Sequence, residues 1–266
     1  MDLRFPGCAL FRVNGERGGR VTTFITVPCF NEAARWDHGY WREISAAPGI
    51  EFVFVDDGSR DNTRKLAQDI CASTSSHLLT QDDNRGKAEA VRTGLLWTLE
   101  RVESTDVVGF MDADGALRNY DLDRLIEVCD AKFQEEAWDA VWSSRVALAG
   151  RHIRRSARRH YLGRIAATLL FGTRDDTPYD TQSGLKFFRP SNDLASMLAT
   201  PFRTRWLFEV ELMHRYEFQL GRHLSIWEEP LMFWNEVPGS KIKGSELVRA
   251  AGEILTIKRM YWERGR

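Results

Sequence analysis

Residues 51–59 read Glu-Phe-Val-Phe-Val-Asp-Asp-Gly-Ser (EFVFVDDGS). Four consecutive β-branched or aromatic residues run straight into two acids and a Gly-Ser turn pair. A continuous apolar run has no polar face, so such a strand must be covered on both sides. The same shape recurs on either side of it. Val21–Val27 (VTTFITV) ends at Pro28, and Asp106–Met111 (DVVGFM) runs into Asp112-Ala113-Asp114. His77–Thr80 and Ala140–Ser143 complete five short strands. Between them, helices are expected over Asn31 to Ala46, Thr63–Thr74 (with Asp61 as N-cap), Gly86–Glu103 and Leu122–Phe133. Ala88, Val91, Leu95 and Leu99 fall on one face of the third. Strands alternating with helices predict an α/β fold: a mostly parallel central sheet with helices on both faces. Ligands of such sheets bind outside the carboxyl ends of the strands, where the acids cluster here.

The chain has 266 residues, 43% hydrophobic and 28% charged. These values exclude disordered, collagen-like and coiled-coil classes. No repeat or linker divides it. Residues 1–20 read as an N-terminal extension, 21–245 as the main domain, and 246–266 as a C-terminal helical segment, its helix Glu246–Trp262, packed on or beside that domain. A net charge of -1 gives no global field for nucleic acid. The four cysteines (Cys8, Cys29, Cys71, Cys129) show no CxxC spacing and read as reduced thiols. No apolar run approaches the ~20 residues of a membrane span, and Met1 to Arg20 has no signal-peptide core. The expectation is a cytoplasmic protein, soluble or peripheral on the cytoplasmic face of a membrane.

Motifs for other chemistries are missing: no GxGxxG follows a strand, and there is no GxxxxGK[ST] or GxSxG. The six histidines lack zinc-site spacing. Acidic turns remain. Asp112 and Asp114, one residue apart at a strand end, can hold one Mg2+ or Mn2+ that is completed by water and substrate phosphates. Asn84-Arg85-Gly86-Lys87 can bring a helix N-terminus and a lysine to a phosphate. From Ala140 to Arg174 there is no acid, and Arg145, Arg151, Arg154, Arg155, Arg158, Arg159, Arg164 and Arg174 all fall there. Arginine matches phosphate bidentately. Ile153–Phe171 begins Arg-rich and ends apolar, a pattern suited to an anionic membrane surface.

Taken together, Val27–Glu32 (VPCFNE), Val55–Ser59 (VDDGS), Asn84–Lys87 (NRGK) and Asp112–Asp114 (DAD) resemble family 2 glycosyltransferases with the GT-A fold. Asp112–Leu117 (DADGAL), Asp180–Phe188 (DTQSGLKFF), Arg205–Met213 (RWLFEVELM) and Trp234–Lys241 (WNEVPGSK) narrow the likeness to the dolichyl-phosphate β-glucosyltransferase group, with polyprenyl-phosphate mannosyltransferases near it. The resemblance implies a sugar-nucleotide site formed by Pro28, Phe30, Glu32, Asp56, Asp57, Lys87, Asp112, Ala113 and Asp114. It implies Asp112 and Asp114 as ligands of Mg2+ or Mn2+ on the diphosphate, with Asp114, Asp180 and Gln182 in the catalytic set. Arg145 and one of Arg155, Arg158 or Arg159 would meet an acceptor phosphate. Trp206, Phe208, Glu209, Glu211, Ser240 and Lys241 are further candidates. The implied reaction is inverting hexosyl transfer, glucose from UDP-glucose being the first choice, to a polyprenyl phosphate at an anionic membrane surface. GDP-mannose as donor, or a catalytically silent binding protein, are the alternatives. Were the acceptor a hydroxyl, Asp180 would be the candidate base.

Overall fold

The computed structural model describes residues 21–135, 137–154, 177–235 and 251–260. The predicted extension over residues 1–20, Arg155, Arg158, Arg159, Ser240 and Lys241 lie outside them.

Seven strands form the central sheet in the order β3-β2-β1-β4-β7-β5-β8. They are β1 (Thr23–Cys29), β2 (Ile50–Asp57), β3 (His77–Gln81), β4 (Val107–Met111), β5 (Ala140–Ser144), β7 (Leu185–Phe188) and β8 (Ile226–Pro230). Only β7 runs against its neighbours, pairing antiparallel with β4 and β5. The other ladders are parallel, as the apolar runs require. A separate two-stranded ladder joins β6 (His152–Arg154) to β9 (Phe233–Asn235).

The period of two along each strand divides the core. Phe24, Val108, Phe110, Trp142 and Phe188 face one side, under α3 (Lys87–Leu99), α5 (Asn192–Leu198) and α6 (Phe208–Leu220). Ile25, Val27, Phe52, Phe54, Met111 and Phe187 face the other, under α1 (His38–Ser45), α2 (Thr63–Cys71) and α4 (Asn119–Gln134). Burying each such side chain is worth about 1.5–3 kcal/mol. Residues 251–260 form a further helix, which we call α7. Its Ile257 enters the first core, and its Glu253 accepts the backbone N–H groups of Arg205, Trp206 and Leu207 just before α6.

The expected helix over Asn31 to Ala46 is broken. A single 3-10 turn spans Ala33–Arg35, and α1 starts only at His38. Trp36 and Asp37, with ψ of 114° and 101°, are extended and separate that turn from α1, and Asn31 before it adopts a left-handed φ of 53°. Asp37 caps α1 by accepting the Tyr40 N–H. The second helix stops at Cys71, three residues early, where the Ser73 and Thr74 hydroxyls turn back onto the Ile70 carbonyl. Asp61 accepts the Thr63 N–H at its start, although Asn62 holds the N-cap position. Cys29, Cys71 and Cys129 are free thiols. Among the described residues no helix is long and apolar enough to cross a membrane.

Candidate active site

Four strand ends supply one edge of the sheet. Asp56 and Asp57 close β2, Asp112 follows β4, Arg145 follows β5, and the loop 180–184 leads into the antiparallel β7. Reversal of β7 is what brings Asp180 and Gln182 to the edge that the parallel strands already define.

The two acids of the DDGS turn organise loops. Asp57 accepts the N–H groups of Arg85 and Gly86, each at 2.7 Å, one per carboxylate oxygen. Burial pushes its carboxyl above the usual range, against those two donors. Asp56 is fully buried, accepts the Ser59 N–H and pairs with Arg64 at 2.7 Å. Gly58 sits at φ +70°, and a Cβ there would lie 2.7 Å from the Asp83 backbone. Only glycine lets these two loops touch. Glu32 is buried and bound through both oxygens by Arg35. Phe30 is 41% exposed at the end of β1, beside half-buried Pro28.

At the centre, Lys87 Nζ meets Asp112 Oδ1 at 2.6 Å. Burial opposes the charge of Asp112, but Lys87, then Lys186 and Arg145, more than offset this and hold its carboxyl below the ordinary range. Asp114 moves the other way, raised by burial and then by the negative charge of Asp112. Gly184 lies against this centre. Its carbonyl accepts the Asp112 N–H at 2.9 Å, and a Cβ on it would fall 2.5 Å from Asp112 Oδ2. The glycine of DTQSG is therefore a space requirement of the first DxD acid.

The same residues test a divalent cation. The described residues contain no group of three or more His, Cys, Asp or Glu able to hold a metal. Two carboxylates are enough for a hard cation that keeps water and takes phosphate oxygens. Asp112 and Asp114 sit close enough for one charge to disfavour the other, a repulsion that a shared cation removes. The donor set fits.

On the acceptor side, Arg145 grips Asp180. Its backbone N–H and Nε donate to Asp180 Oδ2 at 3.0 and 2.7 Å, and Nη2 donates to Oδ1 at 2.8 Å. Nη2 also donates to the Gln182 carbonyl at 2.6 Å, and the Gln182 N–H reaches Oδ1 at 3.3 Å. The guanidinium lies 5.2 Å from the Trp234 ring centroid. Asp180 is 4% exposed, and both of its oxygens accept from protein donors.

Two charged residues that sequence reasoning passed over or left ambiguous are buried: Lys186 beneath this centre and Glu211 in the first turn of α6. Lys186 is fully buried, in cross-strand register with Phe110 and Trp142, its ammonium 5.3 and 5.0 Å from their rings. It donates to the Ser183 carbonyl and faces Glu209 Oε1 at 3.4 Å. Burial pushes this ammonium below the usual lysine range, against Glu209. A lysine inside the apolar run Leu185–Phe188 was the available signal. Glu211 is a loop clamp: it is fully buried and accepts from Arg203 N, Thr204 N, Thr204 Oγ1 and Arg215 Nη2. Trp206 is 60% exposed.

A mostly parallel sheet carrying acids, a lysine and an arginine at one edge is the architecture of a GT-A-fold glycosyltransferase. The glycosyl transferase family 2 profile matches residues 24–190, and the chain belongs to that family. It is 30% identical over 262 residues to dolichyl-phosphate beta-glucosyltransferase of Saccharomyces cerevisiae, covering 89% of this chain and 74% of the yeast protein. It is 26% identical to polyprenol monophosphomannose synthase of Mycolicibacterium smegmatis, covering 87% and 85%. Among solved structures, glucosyl-3-phosphoglycerate synthase from Mycobacterium tuberculosis, in complex with Mn2+, UDP-glucose and phosphoglyceric acid, superposes with a TM-score of 0.62. That match has 18% identity and covers 96% of this chain and 84% of that one.

Proposed function

We propose that this enzyme moves glucose from UDP-glucose to a polyprenyl phosphate with inversion at the sugar. The carrying observation is the state of Asp180. A general base needs a lone pair free to take a proton from the acceptor. Those of Asp180 are directed at Arg145 and the Gln182 N–H. An acceptor that needs no base is one already ionised, and a phosphate monoester is anionic near pH 7. The names of the yeast and mycobacterial relatives support the same class of acceptor. The Mn2+ and UDP-glucose in the Mycobacterium tuberculosis neighbour support the donor.

In this reading the DDGS turn and Phe30 receive the nucleoside, and Lys87 turns from Asp112 toward the diphosphate. Asp112 and Asp114 would hold Mg2+ or Mn2+, which supplies charge stabilisation to the leaving diphosphate. Arg145, oriented by Asp180, directs its remaining nitrogen, Nη1, to the acceptor phosphate. The acceptor oxygen forms a bond to C1 as the bond from C1 to the diphosphate oxygen breaks, and UDP leaves with that electron pair. Positioning and charge compensation carry the rate. Arg151 and Arg154, with the arginines that follow, would rest on anionic headgroups at the cytoplasmic face of a membrane.

The deciding experiment offers UDP-glucose and Mn2+ with either a polyprenyl phosphate or the same polyprenol without phosphate. Product is expected from the phosphate alone. Product from the alcohol, or from 3-phosphoglycerate in place of the lipid, would return Asp180 to the role of base. A larger rise in melting temperature with GDP than with UDP would move the donor to GDP-mannose. Binding of lipid with no turnover of any sugar nucleotide would leave the silent reading.

A second expectation concerns Arg145→Ala. Charge-assisted bonds to phosphate are worth about 1.5–3 kcal/mol, so turnover on the polyprenyl phosphate should fall roughly 10–150-fold. The melting shift caused by UDP should stay near that of the wild type. Equal loss of both would place Arg145 in the donor site or in the fold.

A further inference from the structure

Glu228 lies on β8, in register with Trp142 of β5, and neither the DxD turn nor the nucleotide loops use it. Its two carboxylate oxygens take two successive backbone N–H groups: Oε2 accepts from Tyr179 and Oε1 from Asp180, each at 2.7 Å. One carboxylate spanning two adjacent amides fixes the peptide between them in position and in rotation. Short bonds of this kind to an ionised acceptor are the strong ones. That peptide leads directly into the Asp180 side chain, which in turn holds the Arg145 fork by its backbone N–H, Nε and Nη2. Glu228 is half-buried, and its charge is committed to the two amides.

We propose that Glu228 is a positioning residue for the acceptor side of the reaction, acting through Asp180 on Arg145. This rests on the reading of Arg145 as the acceptor-phosphate residue. A guanidinium that must meet a phosphate in line with C1 tolerates little rotation, because small displacements cost large factors in rate. Anchoring the loop through an edge strand of the sheet supplies that stiffness without adding a group to the site itself. The carboxylate is required rather than any polar side chain. An amide has one oxygen for two N–H donors, and its own NH2 group would confront the second.

The test is Glu228→Gln in the full chain. The kcat/KM for a polyprenyl phosphate is expected to fall at least about tenfold. Acceptor-independent hydrolysis of UDP-glucose with Mn2+, and the melting shift with UDP, should stay within about threefold and a degree or two of wild type. Hydrogen exchange at the Tyr179 and Asp180 amides should speed up at least tenfold. A kcat/KM for the acceptor within threefold of wild type overturns the proposal, as does a parallel fall in hydrolysis and in acceptor use. Unchanged exchange at both amides overturns it as well. A wild-type enzyme that ignores polyprenyl phosphate but shows the faster exchange on substitution would keep the clamp and refute the acceptor assigned to Arg145.

Discussion

Asp112→Asn should lower turnover by about 10²–10³-fold, the scale on which a preorganised electrostatic contact to developing charge acts. The substitution keeps the shape that Gly184 accommodates and keeps the backbone bond from the Asp112 N–H to the Gly184 carbonyl. What it removes is one negative charge. Lys87 then faces a neutral amide oxygen in place of the carboxylate that meets it at 2.6 Å. Both side chains are more than a third exposed, so that exchange costs little stability. The proposed cation loses one of its two carboxylates, and the leaving diphosphate loses the charge stabilisation that the cation supplies. Asp114→Asn should act in the same direction. It also relieves the repulsion that raises the Asp114 carboxyl, so the fold should be unharmed or slightly steadier. The measurement is UDP release under saturating UDP-glucose and acceptor, with melting temperature as the control on folding. Activity within tenfold of wild type in Asp112→Asn, or full wild-type activity in EDTA, would remove the metal from the mechanism.

The edge on which these residues meet was legible because each strand announced itself. EFVFV before Asp56-Asp57 and DVVGFM before Asp112 gave two-sided burial and a ligand-bearing edge at once. What the strands could not reveal was how their acids are spent. Asp57 reads as a free ligand in the sequence, yet its partners, the amides of Arg85 and Gly86, lie 28 and 29 residues away on another loop. Glu32 in the same way is taken up by Arg35. Asp180 and Arg145 were placed on the acceptor side separately, and their mutual grip across 35 residues depends on the reversal of β7. That reversal has no local signature, since LKFF would suit either direction. The break in the first helix was missed because Asp37, a good cap, stands inside an otherwise helical pattern that begins at Asn31.

Lys186 gives the largest expected effect on stability. Lys186→Met removes the ammonium that faces Glu209 and leaves a carboxylate that is 2% exposed, with its second oxygen, Oε2, already without a hydrogen-bond partner. Breaking a buried pair by deleting one member costs about 3–5 kcal/mol, most of it from the stranded charge. For a chain of this size that corresponds to a melting temperature lower by roughly 6–15 °C. The volume lost is small, and Met suits the slot between Phe110 and Trp142, so packing accounts for little of the change. Replacing both members, Lys186→Met with Glu209→Leu, should restore most of the stability, because a dry apolar pair has no desolvation cost to recover. Urea unfolding of wild type, both single variants and the double variant closes the cycle. A single variant within about 1 kcal/mol of wild type, or a double variant no steadier than the singles, would mean that the pair is not the coupled buried unit the geometry describes. The double variant also separates stability from chemistry. It loses the Lys186 bond to the Ser183 carbonyl, in the loop that carries Gln182 and Gly184. It also removes one of the positive charges that hold Asp112 ionised. A well-folded double variant with depressed turnover is therefore the expected outcome, and one with wild-type turnover would confine Lys186 to the core.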